Sequence, residues 1–402
     1  MRLASSLIFL ISVMLYGELG RAETCSVAYQ NSPPEINACA SDERVTLSFV
    51  GDVLIHGRLQ RQGLSQGFSS LWQEVIPLFK EVDIAVANLE GPVAPTIDRN
   101  GRVVDYPGPV YDNVVFTSYP LFNYHPNLLQ ALQSSGIDFL STANNHALDR
   151  FSLGADITID LLEQFGIAYS GTVRSNNPRD FTTLTDTDLG QIAWISCTFS
   201  TNGIIDTDEQ VLYCYRDREY ILDEVRRLNE SHDIVAVVVL THWGVEYASN
   251  PSLQERDLAE DLASAGATLV VGTHPHVVQP WEFVPQSNNI VPIVYSTGNF
   301  VSGQLGLERE TGIFVRVEMC RQNLSGDLAD NLRPTLVVSE IGWVAMRMQM
   351  GGALEVQPIF EGELRQGLTN ARNHVESLIP NHGLHPSQYC ENLSNQDNFS
   401  IQ

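Results

Sequence analysis

The chain has 402 residues, is 43% apolar and carries a formal charge of -25 at pH 7. That length and apolar content suit one large globular domain with additions rather than several small ones. So acidic a chain, with Lys80 as its only lysine, lacks the basic footprint a phosphate backbone needs, which argues against DNA or RNA as partner and leaves solubility as the main effect of its charge.

Residues 1–22 read as an export signal. Arg2 gives the positive start, Leu7 to Tyr16 is an apolar stretch too short to span a bilayer, and Gly20-Arg21-Ala22 offers small residues around a cut before Glu23. A retained anchor is the alternative. Thr24, ahead of Cys25, is not the small residue that a bacterial lipoprotein signal needs. The expected location is therefore the medium, periplasm or cell envelope, with no membrane span after signal removal. Cys25, Cys39, Cys197, Cys214, Cys320 and Cys390 form an even set without Cys-x-x-Cys, which in an exported chain favours disulfides over metal or redox chemistry. Joining nearest neighbours pairs 25 with 39, 197 with 214 and 320 with 390, one of many possible connectivities.

Residues 23–44, polar and containing Pro33-Pro34, form an N-terminal segment tied down by a disulfide. The core occupies 45–318. Val45 to Val50 is a strand entering a buried sheet and ending at Gly51-Asp52. Leu71 to Phe79 spaces its apolar residues like a helix, and Ile84 to Ala87 is a second buried strand, capped by Asn88-Leu89-Glu90-Gly91-Pro92. Residues 93–126, rich in Pro, Gly, Tyr and Asn, form a long loop that shapes a pocket wall. A helix from Leu128 to Ser134, stopped by Gly136, precedes the strand Ile137 to Leu140 and the stretch Thr142-Ala143-Asn144-Asn145-His146-Ala147-Leu148-Asp149. A helix from Ile157 to Phe165, a strand from Ile192 to Ser196 and a helix from Ile221 to Leu228 follow. The run Ile234 to Leu240 ends at Thr241-His242-Trp243-Gly244. A helix from Ser252 to Ala265 leads to the strand Thr268 to Gly272 and Thr273-His274-Pro275-His276. Ile293 to Phe300 reads as one strand, and Gly312 to Met319 with Thr335 to Met346 as a hairpin of a second, more antiparallel layer. Residues 319–402 thus add second-sheet strands and a C-terminal extension. This alternation of strand, polar tip and helix argues for an α/β sheet.

Polar and ionisable groups recur just past strand ends, where open α/β sheets place their ligand crevice. They are Asp52, Glu90, Asn145 with His146, His242, and His274 with His276. Asparagines beside a histidine are equally compatible with a satisfied turn. A mixture of carboxylate, carboxamide and imidazole without thiolate suits Mn, Fe, Zn or Co, and so many candidate ligands suit two ions bridged by a carboxylate better than one tetrahedral ion.

Together these segments resemble the bacterial capsule-synthesis family associated with poly-γ-glutamate (CapA/PgsA-like), a branch of the calcineurin-like metallophosphoesterase superfamily. The likeness rests on Phe49-Val50-Gly51-Asp52, Asn88-Leu89-Glu90-Gly91-Pro92, Ala143 to Asp149, Thr241 to Tyr247, Gly272 to Pro280 and Tyr295 to Phe300, and covers roughly residues 45–318. It implies a four-layer α/β/β/α sandwich with a dinuclear site at the strand ends. Asp52 and His276 would hold the first divalent ion, Asn145, His242 and His274 the second, and Glu90 would bridge. His146 would be the general acid of a phosphoester hydrolysis. The superfamily's first motif has histidine two residues after the aspartate, where this chain has Leu54, so His56 is added as a candidate ligand. Its second motif has aspartate where this chain has Glu90. Asn144, Asn299 and Arg150 either orient a substrate or serve as capped turns and a solvated charge, and Glu246 and Tyr247 either orient His242 or are structural. The implied substrate is phosphorylated or a polyanionic surface polymer. A non-catalytic accessory factor for such a polymer is the competing role, though the chain's own negative charge opposes direct capture of a polyanion.

Overall fold

The computed structural model describes residues 34–323, 335–360 and 366–384. The proposed signal, Cys25 and Cys390 lie outside them. Two sheets stack face to face. The first contains eight strands in the order β14 (Glu355–Ile359), β13 (Leu336–Gln349), β12 (Thr311–Arg321), β1 (Val45–Leu54), β2 (Ile84–Leu89), β3 (Phe139–Ser141) and β4 (Ala168–Ser170), with β11 (Asn299–Ser302) also paired to β1. The second contains six, ordered β5 (Thr182–Thr187), β6 (Gly190–Thr198), β7 (Ile234–His242), β8 (Leu269–Thr273), β10 (Ile290–Val294) and β9 (Trp281–Pro285). Strands β1 to β4 and β11 run parallel, as do β6, β7, β8 and β10. The outer pairs are antiparallel.

The two-residue period of the strands builds three cores at once. Val45, Leu47, Phe49, Ile84 and Val86 face Ile192, Trp194, Val238, Leu240 and Val271 between the sheets. Ala85, Ala87 and Leu140 point the other way, toward α1 (Gly57–Gln66), α2 (Ile76–Phe79), α3 (Asn127–Ser134) and α4 (Phe151–Phe165). Ala193, Ile195, Val237 and Val239 turn outward onto α5 (Arg218–Glu230) and α6 (Leu253–Ala265). The order of layers is thus α/β/β/α, as the resemblance implies. Trp194 is fully buried at the centre, stacked on Phe139 at 4.6 Å, with its indole N–H donated to Thr185 Oγ1 at 2.8 Å. Two late helices, α7 (Leu307–Glu310) and α8 (Gln366–Leu378), flank the antiparallel side, α8 burying Leu368, Ala371 and Val375.

Several local expectations need correction. Gly51-Asp52 does not end β1, which continues to Leu54 because β2 and β11 keep pairing with it, at the cost of a register shift around Asp52. The helix expected over 71–79 is a string of 3-10 turns with only Ile76–Phe79 α-helical, since Pro77 has no N–H and can only start a helix. Ile293 to Phe300 is two strands in different sheets, with the chain crossing between them at Tyr295 to Gly298. The crossing is so close that a Cβ on Gly51 would lie 1.7 Å from the Gly298 carbonyl oxygen. The hairpin of β12 and β13 belongs to the sheet of β1 rather than to a second layer. Cys197 does pair with Cys214, but Cys39 pairs with Cys320, 281 residues away, so neither the 25 to 39 nor the 320 to 390 pairing occurs. An edge contact makes the long link: Cys39 bridges to Gln322 at the end of β12, which nearest-neighbour spacing cannot foresee.

Candidate metal centre

Parallel strands of both sheets end at one crevice, and their tips meet there. Asp52 stands at the register shift in β1, Asn88 and Glu90 at the end of β2, and Asn144 to Asp149 just after β3. From the other sheet come His242, the last residue of β7, and His274 and His276 beyond β8. Both histidines after β8 have left-handed backbone, at φ +96° and +59°, a conformation costly for a residue with a Cβ and one that concentrates at functional sites.

The contacts are dense. His276 Nδ1 lies 2.9 Å from Asp52 Oδ2, and His242 Nε2 lies 2.9 Å from Asn145 Oδ1. His242 Nδ1 is held by Thr273 Oγ1 at 2.9 Å, and the His274 ring stacks at an angle on His242 with centroids 4.8 Å apart. Glu90 sits at the middle. One of its oxygens is 3.6 Å from His242 Nε2 and 3.8 Å from His276 Nε2, and ligand atoms of Glu90, His274 and His276 all fall within 4.8 Å of one another.

Those separations are too long for hydrogen bonds. They approach the edge of a tetrahedron with ligand bonds of about 2.1 Å, roughly 3.4 Å. Glu90 is 0% exposed, and neither of its carboxylate oxygens has a hydrogen-bond partner; His274 Nδ1 is likewise buried and unpartnered. A buried carboxylate without donors is costly unless a cation joins it. Burial, reinforced by Asp52, Glu246 and Asp149, pushes the Glu90 carboxyl well above the usual range. Burial and the neighbouring imidazoles push His242 well below its ordinary value and His274 down to about 3. Neutral imidazoles offer lone pairs, and a carboxyl that ionises only beside positive charge completes the donor set of a divalent metal. The residues present therefore fit metal.

The structure brings Asp52, Glu90, Asn145, His242, His274 and His276 into this cluster. His146 adjoins it, its Nδ1 at 2.7 Å from Asp149 Oδ2 and its ring edge-on to Phe122 at 4.8 Å. His56 lies at the margin. Its Nδ1 is 3.0 Å from the Leu54 carbonyl oxygen and 3.1 Å from the Gly303 amide nitrogen, and burial lowers its pKa to about 4. Arg150 faces no crevice: fully buried, it donates to the carbonyls of Ile97, Asp149 and Val115 and so braces the 93–126 loop. Tyr247 stands by His276, with ring centroids 6.1 Å apart, rather than by His242, whose orienting partner is Thr273.

Two participants escaped the sequence reading. Asn88 donates to Asp52 Oδ1 at 2.8 Å and lies 3.3 Å from His242 Nδ1, linking the two sheets. Its two-residue spacing from Glu90 was the available signal. Asp149 accepts from Phe122 N at 2.6 Å as well as engaging His146, and its place three residues after that histidine was legible.

A model of the family described as bacterial capsule synthesis protein PGA_cap matches residues 46–304. The chain is 28% identical over 276 residues to the PGA biosynthesis protein CapA of Bacillus subtilis and 27% identical over 268 residues to the capsule biosynthesis protein CapA of Bacillus anthracis. These matches take in 66% and 65% of this chain but only 65% and 61% of those relatives. Among solved structures, the Haemophilus influenzae NAD nucleotidase NadN is similar at TM-score 0.42 and 9% identity, covering 85% of this chain and 57% of its own. With well over half of its length matched by the family model, the chain belongs to the bacterial capsule synthesis protein PGA_cap family.

Proposed function

We propose that this protein is an exported, metal-dependent phosphoester hydrolase serving capsule or poly-γ-glutamate synthesis. Asp52 and His276 would hold one divalent ion and Asn145, His242 and His274 a second, with Glu90 available to both, and Mn, Fe, Zn or Co would suit this donor set. The observation that carries this reading is the Glu90 carboxylate, sealed from water, without a donor, and faced by imidazoles. When bound, such ions polarise the ester and lower the pKa of water.

The chain's own residues supply the rest. Asn88 and Thr273 fix the orientations of Asp52 and His242, so their free lone pairs converge. His146, tethered through Nδ1 to Asp149, presents Nε2 as the atom that passes a proton to the departing oxygen. Such a step contributes about 10² to 10⁴ in rate. Phe122 packs edge-on against that ring. Export is supported by the two disulfides, which persist in oxidising compartments. Among the described residues no helix is long and apolar enough to cross a membrane.

The test is elemental analysis of protein purified without added metal, followed by manganese reloading and assay on 4-nitrophenyl phosphate and bis(4-nitrophenyl) phosphate. We expect retained transition metal and hydrolysis that falls by about 10² to 10⁴ in His146→Ala at unchanged metal content. Reloaded protein that cleaves neither ester, or a His146→Ala variant as active as wild type, would overturn the proposal and favour an accessory role.

A further inference from the structure

A wall of residues outside the proposed ligand set stands beside His276. Tyr247 is held in left-handed backbone, φ +66°, by its N–H donating to the Pro275 carbonyl at 2.8 Å, and its side chain is exposed beside His276. Arg309, in α7, lies over the Tyr247 ring at 5.1 Å. Gln304 joins them, with Nε2 3.4 Å from the Tyr247 hydroxyl and Oε1 accepting from Asn299 Nδ2 at 3.1 Å. Asn299 in turn donates to the Arg309 carbonyl at 2.9 Å and places Oδ1 3.1 Å from His276 Nδ1. The wall is therefore fastened to a proposed metal ligand through one side chain.

Acidic residues outnumber basic ones about two to one, 48 against 23, and several arginines, among them Arg174, Arg218, Arg256 and Arg347, hold a carboxylate. Arg309 has none within ion-pair reach among the described residues. Its neighbour Glu310 is already engaged, accepting from Arg347 at 2.7 Å and from the Gly306 N–H at 3.3 Å. A half-buried guanidinium resting on an aromatic ring, with its donors uncommitted to carboxylate, is a fork for an oxyanion.

Resting on the hydrolase reading above, we infer that Arg309 and Tyr247 form a substrate subsite that binds a second anionic group, carboxylate or phosphate, carried next to the ester that reacts at the metal centre. The substrate class this selects is one with repeated or paired negative charge, not an isolated phosphate ester. Glu246, exposed and hydrogen-bonded to the Tyr247 side chain, opposes that anion and tempers the affinity.

The experiment compares the binding of phenyl phosphate and 4-carboxyphenyl phosphate to manganese-loaded full-length protein by calorimetry. Wild type should bind the carboxylated probe about five- to tenfold more tightly, a charge-assisted contact discounted for partial exposure. In Arg309→Gln that ratio should collapse to about one, in Arg309→Lys it should be intermediate, and in Glu246→Gln it should rise. Equal binding of the two probes by wild type, or an unchanged ratio in Arg309→Gln, overturns the subsite alone. Failure of wild type to bind either phosphate overturns the hydrolase reading beneath it.

Discussion

Replacing Glu90 with glutamine should invert the usual effect of a core mutation. Without metal, the wild-type protein keeps a fully buried carboxyl whose oxygens have no donor, and burial beside Asp52 pushes its pKa well up. Folding therefore takes up a proton there. This group's contribution is present below its ordinary value of 4.5 and is lost as pH rises toward the folded value, so at neutral pH the apo protein is penalised. Glutamine is neutral and nearly isosteric, so it fills the same space beside the His242 and His276 rings, 3.6 and 3.8 Å from a Glu90 oxygen, without the charge that burial penalises. Relieving an unsatisfied buried group is worth about 1–3 kcal/mol. A chain of 402 residues, at about 2.1 cal/mol/K per residue, converts each kcal/mol into roughly 1 °C of melting temperature. Chelated Glu90→Gln should thus melt about 1–3 °C above chelated wild type. With metal the order reverses: an ion at about a thousand times its Kd adds about 4.1 kcal/mol, or roughly 5 °C, to wild type, and the variant forfeits most of that gain. Scanning calorimetry of chelated and manganese-reloaded samples reads both effects. A wild type indifferent to manganese, with chelated Glu90→Gln melting lower than chelated wild type, would refute the reasoning.

Other expectations follow from neighbouring parts of the molecule. Asp149→Asn should lower kcat about 10- to 100-fold and distort the pH profile at unchanged metal content, because Asp149 positions the His146 ring rather than binding metal. Removing the Cys197–Cys214 bond by double serine substitution should cost about 3 kcal/mol in denaturant unfolding, and removing Cys39–Cys320, with its separation of 281, about 5.6 kcal/mol on the chain-entropy expression. His125 is 3% exposed with its pKa lowered by burial to about 4, and its Nδ1 accepts from the Asn127 N–H at 3.0 Å. Its folded value lies below the unfolded 6.5, so its contribution is full above pH 6.5 and falls away as pH drops toward 4, by at most about 3 kcal/mol. Hydrogen exchange in residues 93–126 should accelerate over that window, and His125→Gln should flatten the response. Trp194→Ala should cost about 3–5 kcal/mol in unfolding, since the cavity would open between two sheets that cannot both collapse into it.

How much of this fold the sequence disclosed depends on whether a feature is local. The strand Ile234–His242 is legible because every residue in it is buried, so an unbroken apolar run is its natural text. Helix α6 is legible because Ser252 and Glu255 form a reciprocal cap and Gly266 closes the other end at φ +111°. The division of Ile293 to Phe300 between two sheets was not. Its residues have the composition of a single strand, and the break exists only because Gly298 can pass within van der Waals reach of Gly51, some 247 positions earlier in the chain. The Cys39–Cys320 bond is hidden for the same reason, as it depends on where the end of β12 lies and not on cysteine spacing.

The site divides along the same line. Side chains delivered by strand ends announce themselves, because an acid, amide or imidazole directly after an apolar run has few structural reasons to be there. Groups that act on other side chains do not. Asn88 sits inside a strand, where a lone amide reads as a defect in an apolar run until Asp52 and His242 are found on either side of it. Arg309 and Tyr247 are more obscure still, one in a short helix and the other in a loop, brought together only in the folded chain by the guanidinium over the ring and by Gln304 and Asn299. The proposed ligands therefore identify a chemistry that many substrates share, while selection among those substrates falls to residues whose meaning arises only when the chain is folded. Substitutions at Arg309 should accordingly change which ester is preferred, and substitutions at Glu90 whether any ester is cleaved.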